Sequence, residues 1–416
     1  MSISYDLVIA GGGLGGATLA KNMAEHGAKV LVIEREREFK DRVRGECMFP
    51  WGNAEAHSLG VAGSLAEAGG YELHWVDFYA VTDRIDRREV IPTTPQHLPC
   101  LACYHPAMQE SLLRAAAAAG AAVRRGATVR EAQTGAARAL VVEEGGRVET
   151  IPARLVVAAE GRSSVVRSSA HFTVLRDPED PMIAGVLLAN VPSPEATLEV
   201  IYNFAMGQVV IVVPQGGGRA RMYVCYHDRT QPRFQGNADL ARFAESCTKT
   251  GANASYFNDS RQIGPLATFS CAQTWVDHPY RDGVVLMGDT ATSSDPVQGK
   301  GLSLTLRDAR VLRDCLLSTD DWDAAADVYA AEHDAYAGRL HIFNQWFSEM
   351  YLAMGHDADA RRSRAMALIA QDPSRQPDSL FSGPDLPADE AARKRFFAED
   401  SGRAHSRREA RVWHLQ

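Results

Sequence analysis

Apolar positions along this chain come in short blocks cut by glycine, and the first block sets the pattern. Tyr5-Asp6-Leu7-Val8-Ile9-Ala10 is an apolar run of the length and composition of a buried parallel strand. Glycines at 11, 12, 13, 15 and 16 follow at once. In Ala17 to His26, residues Leu19, Ala20 and Met23 recur at helical spacing, and Gly27 stops the helix. Lys29-Val30-Leu31-Val32-Ile33-Glu34 then reads as a second strand, which completes a βαβ unit.

Similar blocks return later. The stretch 44–68 mixes turn signals with helix formers, and Glu72 to Val90 alternates loosely as strands would. Pro106 to Ala119 is a helix, opened by its proline and stopped by Gly120. Ala122-Val123-Arg124-Arg125 begins a strand, and Arg138 to Ile151 reads as a hairpin around Glu144-Gly145-Gly146. Leu155 to Ala159 and Gly283 to Asp289 are two more buried parallel strands. Between them, Ile183 to Leu188, Thr197 to Tyr202, Val209 to Val213 and Arg219 to Val224 are β-prone runs separated by Pro and Gly turns. They predict a mostly antiparallel sheet, with a helix inserted at 238–248. Helical pattern resumes at 301–317 and 321–353; beyond 371 the Pro, Asp, Ser and Arg content predicts loose helix or disorder. Pieces of one nucleotide domain thus occur at the start, near 155 and near 285.

Composition narrows the classes. The chain has 416 residues, 45% hydrophobic and 23% charged, enough for a sizeable core in one large or two medium domains. Its net charge of -8 gives no global attraction to nucleic acid or an anionic membrane. No apolar run approaches the roughly 20 residues that span a bilayer, and the N-terminal run lacks the basic leader of a signal peptide. Seven cysteines, odd and sparse, argue for a reducing compartment, so the expected location is cytoplasmic.

The first chemistry lies in Gly11-x-Gly13-x-x-Gly16. The first glycine permits a tight turn, the second lets a pyrophosphate approach the backbone, and the third lets helix and strand pack closely. The helix N-terminus offers unpaired N–H groups to phosphate. Glu34 closes the second strand, where a carboxylate can bind both hydroxyls of an adenosine ribose, and it disfavours a 2′-phosphate there. The motif alone does not separate FAD from NAD.

Two later motifs make that separation. Ala159-Glu160-Gly161-Arg162-Ser163-Ser164-Val165-Val166-Arg167 and Gly288-Asp289-Thr290-Ala291, followed by Asp295-Pro296-Val297-Gln298-Gly299-Lys300-Gly301, stand in the order and at the wide spacing of a known family. Over residues 3–345 the chain resembles the class A flavin monooxygenases, the para-hydroxybenzoate hydroxylase superfamily. The resemblance implies an α/β fold: a Rossmann-like FAD-binding domain of the glutathione-reductase type, an inserted, mostly antiparallel substrate sheet, and C-terminal helices. The FAD-binding domain would comprise 1–70, 101–170 and 276–355. Residues 71–100 and 171–275 would form the substrate domain, and 356–416 a helical or loosely ordered tail.

The resemblance also assigns roles. The adenosine end of FAD falls to Gly11, Gly13, Leu14, Gly15, Gly16, Glu34 and Arg35. Arg44 and Gln109 are expected near the cofactor, Arg42 near the nicotinamide nucleotide path, and Glu160 and Gly161 near the pyrophosphate. The ribityl chain and ring fall to Gly288, Asp289, Pro296, Gly299, Lys300, Gly301 and Leu302. The physics agrees for Asp289, a carboxylate at a strand end that can accept ribityl hydroxyls, and for the helix start after Pro296, whose N–H groups suit a reduced ring. Three positions depart from the pattern: Glu160 replaces the usual aspartate, Thr292 a histidine and Ser303 a frequent asparagine; His105 also stands where an arginine is common.

By the same resemblance, NADH or NADPH reduces FAD, O2 adds at flavin C4a, and the hydroperoxide passes oxygen to a small, aromatic or heteroaromatic substrate. The substrate pocket is expected between 45–100 and 171–275. Its candidate polar groups are Glu46, His74, Tyr79, Tyr202, Asn203, Tyr223 and His227, of which Glu46, His74, Tyr202 and Tyr223 are the catalytic candidates. Glu46-Cys47-Met48-Phe49-Pro50-Trp51-Gly52 could wall the site beside the flavin.

Other readings stay open. A reductase, an oxidase or a halogenase has the same fold; the halogenase Trp-x-Trp-x-Ile-Pro signature is absent, and Lys40 and Lys300 are the lysines nearest the motifs. A two-component enzyme would take reduced flavin from a partner reductase, and a non-catalytic FAD carrier would keep the first and third motifs. Monomer and homodimer are both compatible with the sequence. Cys100-Leu101-Ala102-Cys103 has no second pair at zinc spacing, and the basic stretch at 403–411 is too mixed with acids for nucleic-acid binding.

Overall fold

The computed structural model describes residues 5–178 and 181–400; the basic stretch at 403–411 lies outside them. Two sheets organise the chain. The first has the strand order Tyr280–Arg281, Val284–Leu286, Arg147–Ala158, Tyr5–Ala10, Val30–Glu34, Ala122–Arg125. Four of the five pairings in this order are parallel, with Leu7 opposite both Leu155 and Val30. The opening strand is central because its Leu7, Val8 and Ile9 are fully buried, one face contributing to each of two cores. After it the chain builds outwards in one direction and then returns on the other side. The C-terminal ends of Tyr5–Ala10 and Arg147–Ala158 therefore flank a topological switch point, where open α/β sheets bind ligands.

The hairpin and the strand expected separately at 138–151 and 155–159 are one element. Arg147–Ala158 pairs antiparallel with Ala139–Glu144 in its first half and parallel with Tyr5–Ala10 in its second. Helices Leu14–Glu25, His105–Ala118, Gly301–Ser318 and Trp322–Tyr351 pack in contact with this part of the chain, the third lying between the first and the fourth.

The second sheet runs Arg261–Gln262, Met182–Ala189, Ala220–Tyr226, Gln208–Pro214, Thr197–Asn203, Trp75–Ala80, Asp83–Glu89, with Ala267–Ser270 also on Met182–Ala189. One of these pairings, Thr197–Asn203 with Trp75–Ala80, is parallel; the others are antiparallel. Alternation divides each strand between two cores. Met182, Ala184, Val186, Val210, Val212, Met222 and Val224 face helix Leu240–Thr250, with its Phe243 and Cys247. Ile183, Leu198, Val200, Val209, Val213 and Tyr223 join the large core shared with the first sheet.

The expectation of a loose tail fails for residues 372–400. Phe396 and Phe397 are fully buried against Phe343, Trp346 and Phe347 of the long helix, and Ser379 and Phe381 are buried too. Polar composition concealed a few large apolar anchors, which decide packing.

Candidate active site

A cleft of about 450 Å³ opens at the switch point. Its floor is backbone. Gly11 has φ of 102°, and a Cβ there would lie 2.4 Å from the Ala159 carbonyl oxygen. A Cβ on Gly16 would lie 2.0 Å from the Gly11 carbonyl oxygen, so this glycine, which does not line the cleft, seats the helix on the strand. Helix Leu14–Glu25 begins after Gly13 with no side-chain cap, and Gly13, Leu14 and Gly15 line the cleft. Its first N–H groups are left for an anion.

Glu34 is buried at the cleft edge, one carboxylate oxygen accepting from the Gly12 N–H at 2.8 Å and the other from the Glu36 N–H at 2.8 Å. These bonds fix the carboxylate and leave lone pairs on both oxygens. Arg35, Arg42, Arg44, Gln109, Glu160, Gly161, Gly288, Asp289, Pro296, Gly299, Gly301 and Leu302 also line the cleft. Arg42 bonds Glu36 at 2.5 Å and is exposed, whereas burial lowers the pKa of Arg44, against the opposing charge of Asp289. Asp289 sits 3.6 Å from Arg162.

The departures from the family pattern have local causes. The Glu160 carboxylate accepts from Ser164 Oγ at 2.5 Å and from the Val166 N–H at 3.1 Å, so its extra methylene lets it cap the helix Val165–Ser169. Burial raises its pKa, while these hydrogen bonds oppose the rise. Thr292 bonds His333 Nε2 at 2.9 Å, and His333 Nδ1 in turn lies 3.1 Å from the fully buried Asp308. Asp308 also accepts from the Gly288 N–H at 2.7 Å and the Tyr336 hydroxyl at 2.6 Å, pinning the backbone beside Asp289. Sequence reasoning missed this network; a carboxylate on the inward face of helix Gly301–Ser318 was its signal. His105 is buried beside Arg44 and bonds Gln109 at 3.0 Å, and burial lowers its pKa.

Lys300 is a correction. It lines neither cavity: its fully buried Nζ donates to Asn344 Oδ1 at 2.9 Å and Ser379 Oγ at 3.1 Å. Burial pushes it down to about 7 and pushes the neighbouring Asp295 up to about 7. The side chain ties the helix start to the C-terminal segment, while the backbone around it faces the cleft.

A smaller, apolar cavity adjoins the cleft, and Gly45, Phe269, Pro296 and Gly299 line both. Its walls are Phe78, Leu198, Val200, Val209, Ile211 and Val213 from the second sheet, Phe49 and Val297 from the side of the cleft, and Tyr351, Leu352 and Leu380 from the C-terminal part. Tyr202 and Tyr223 line it, and Tyr223 donates to the Arg44 carbonyl. Glu46 also borders it, but as a buried ion pair: Arg221 donates to its two oxygens at 2.8 and 3.0 Å, and the His105 N–H donates at 3.1 Å. Such a carboxylate is structural, so Glu46 is not a free acid or base. His74 is half-buried, bonded to Glu72 at 3.0 Å, and lines neither cavity. Tyr79, Asn203 and His227 also lie outside both, bonded to Asp77, the Lys249 carbonyl and the Leu352 carbonyl. Cys100 and Cys103 are buried free thiols, Cys103 pushed up to about 12 by burial.

Residues 4–337 match the family described as FAD binding domain. The chain belongs to the class A flavin monooxygenases. It is an FAD-dependent oxidoreductase, and the glycine cradle, the free helix N-terminus and Glu34 fit the adenosine end of that cofactor. Among relatives, 6-methylpretetramide 4-monooxygenase of Streptomyces rimosus is 26% identical over 400 residues, covering 89% of this chain and 90% of the relative. Solved structures share the fold. The p-nitrophenol 4-monooxygenase PnpA of Pseudomonas putida DLL-E4 has a TM-score of 0.77 at 17% identity, covering 90% of this chain and 96% of its own. The flavin-dependent brominase Bmp2 has a TM-score of 0.74 at 14% identity, covering 95% and 99%. No described helix is long and apolar enough to cross a membrane.

Proposed function

We propose that the protein uses NADH or NADPH and O2 to insert one oxygen atom into a small aromatic or heteroaromatic molecule held in the apolar cavity. The observation that carries this reading is the shared wall: Gly45, Phe269, Pro296 and Gly299 belong to both the cofactor cleft and the cavity. In it, Glu34 binds the adenosine ribose, the N–H groups of Leu14 and Gly15 the pyrophosphate, and Asp289 the ribityl hydroxyls. The backbone of Gly299, Gly301 and Leu302 borders the ring. Bound FAD supplies the electron transfer and the activation of O2. The protein's own part is orientation and exclusion of water, to which the aliphatic and aromatic cavity walls are suited. Halogenation is disfavoured because no lysine among the described residues lines the cavity. All seven cysteines are free thiols, which supports a reducing, cytoplasmic setting.

The test is to purify the holoenzyme and follow NADH and NADPH oxidation in air with a panel of phenolic and heteroaromatic compounds. A compound that accelerates consumption and gains one oxygen atom supports the reading. Flavin that neither nicotinamide reduces would transfer it to a two-component enzyme fed by a partner reductase.

A further inference from the structure

The cavity's charge inventory restricts what can occupy it. Glu46 is the one charged residue in its lining, and Arg221 neutralises it. Arg221 itself is fully buried, is absent from the cavity lining and also bonds Asp41 at 2.7 Å, so its charge already faces two carboxylates. No Lys, Arg or His of the described residues borders the cavity. An anionic group placed there would lose its water and gain no counter-ion, and a carboxylate buried without a partner is strongly disfavoured.

The polar groups left to a ligand are few. Tyr223 and Tyr351 are engaged, their hydroxyls donating to the Arg44 carbonyl and to Gln376 Oε1. Tyr202 and Gln298 also line the cavity, and neither side chain has a hydrogen bond among the described residues. The Tyr202 ring is held by stacking on Tyr351, centroids 4.9 Å apart, and on Phe204 at 5.6 Å. Burial raises its pKa, so it stays a neutral donor.

Resting on the assignment of this cavity to the substrate, we propose that the substrate is uncharged where it enters the cavity: an apolar ring system carrying a neutral hydroxyl or amine, met by Tyr202 and Gln298, and not a carboxylate. A phenol or an aniline fits this chemistry; a hydroxybenzoate does not.

Matched probes test it on the FAD-loaded enzyme. The flavin spectrum is titrated with 4-methylphenol against 4-hydroxybenzoate, and with 2-naphthol against 6-hydroxy-2-naphthoate. Each neutral compound should bind at least about a hundredfold more tightly than its anionic partner, the lower end of the penalty for burying an unpaired charge. Equal or tighter binding of either anion overturns the proposal, as does failure of both neutral compounds to perturb the flavin. In Tyr202→Phe, affinity for the neutral phenols should drop about tenfold, the worth of one hydrogen bond, with FAD content unchanged. Unchanged affinity removes Tyr202 from the assignment. Oxygen transfer is scored separately. Neutral selectivity without any oxygenated product sinks the monooxygenase reading alone, whereas oxygenation of a bound carboxylate sinks the uncharged-substrate proposal alone.

Discussion

The two adjoining cavities are built by opposite means. The cofactor cleft is backbone and charge: glycines that admit no side chain, a bare helix N-terminus, Glu34 at a strand end and Asp289 in the turn after one. The smaller cavity is mostly side chains, many of them contributed by strands 75–80, 197–203, 208–214 and 220–226 and by the far C-terminal segment. A conserved-shape ligand such as a dinucleotide can be met by local backbone geometry. A ligand that differs from enzyme to enzyme is better met by walls that change one side chain at a time.

If that contrast holds, damage to the cleft should remove the cofactor and damage to the cavity should not. The largest effect belongs to Gly11→Val: the positive φ and the 2.4 Å approach to Ala159 leave no room for a side chain. The purified variant should contain no FAD even after incubation with excess cofactor. Bound FAD at wild-type occupancy would break the account of the cleft. Next comes the joint between the two regions. Arg221→Leu strands the buried Glu46 carboxylate, and loss of one partner of such a pair costs about 3–5 kcal/mol. Denaturant unfolding should report that loss, and the double variant with Glu46→Leu should recover much of it.

Asp289→Ala should weaken FAD binding by about 10- to 100-fold, the range for hydrogen bonds to a charged acceptor, measured by fluorescence titration of the apoprotein. The smallest expected effect is a pH dependence. Burial, with Arg44 nearby, depresses the pKa of His105 in the folded state. The stability it contributes is therefore present above its unfolded value near 6.5 and is lost as pH falls through the folded value. Between pH 7 and 5 the thermal midpoint of the wild type should fall more steeply than that of His105→Gln. Parallel slopes would show that this histidine is not held neutral.

Legibility in the sequence follows the same contrast. Gly11, Gly13, Gly16 and Glu34 are readable because strand, turn, helix and strand end are neighbours along the chain. Asp289 is readable because it follows an apolar run, although the strand expected at 283–289 covers only Val284–Leu286 and Asp289 sits in the tight 3-10 turn after it. Glu46 stands out as a carboxylate in an apolar stretch, but its partner Arg221 lies 175 residues away on another sheet, and nothing local announces the pair. Lys300 sits inside a cofactor motif, yet its side chain serves Ser379 and Asn344, since backbone and side chain at a helix start face different ways. The C-terminal anchors Phe396 and Phe397 were hidden by the polar residues around them.

The central claim is that oxygen activated beside the cleft reaches a molecule held in the apolar cavity. It is tested most directly by running the FAD-loaded enzyme with NADH or NADPH, 2-naphthol or 4-methylphenol, and O2 enriched in oxygen-18, and weighing the product. The account predicts one heavy oxygen atom in the organic product. Nicotinamide oxidation that returns all the heavy oxygen as hydrogen peroxide or water, with every organic compound unchanged, would contradict it.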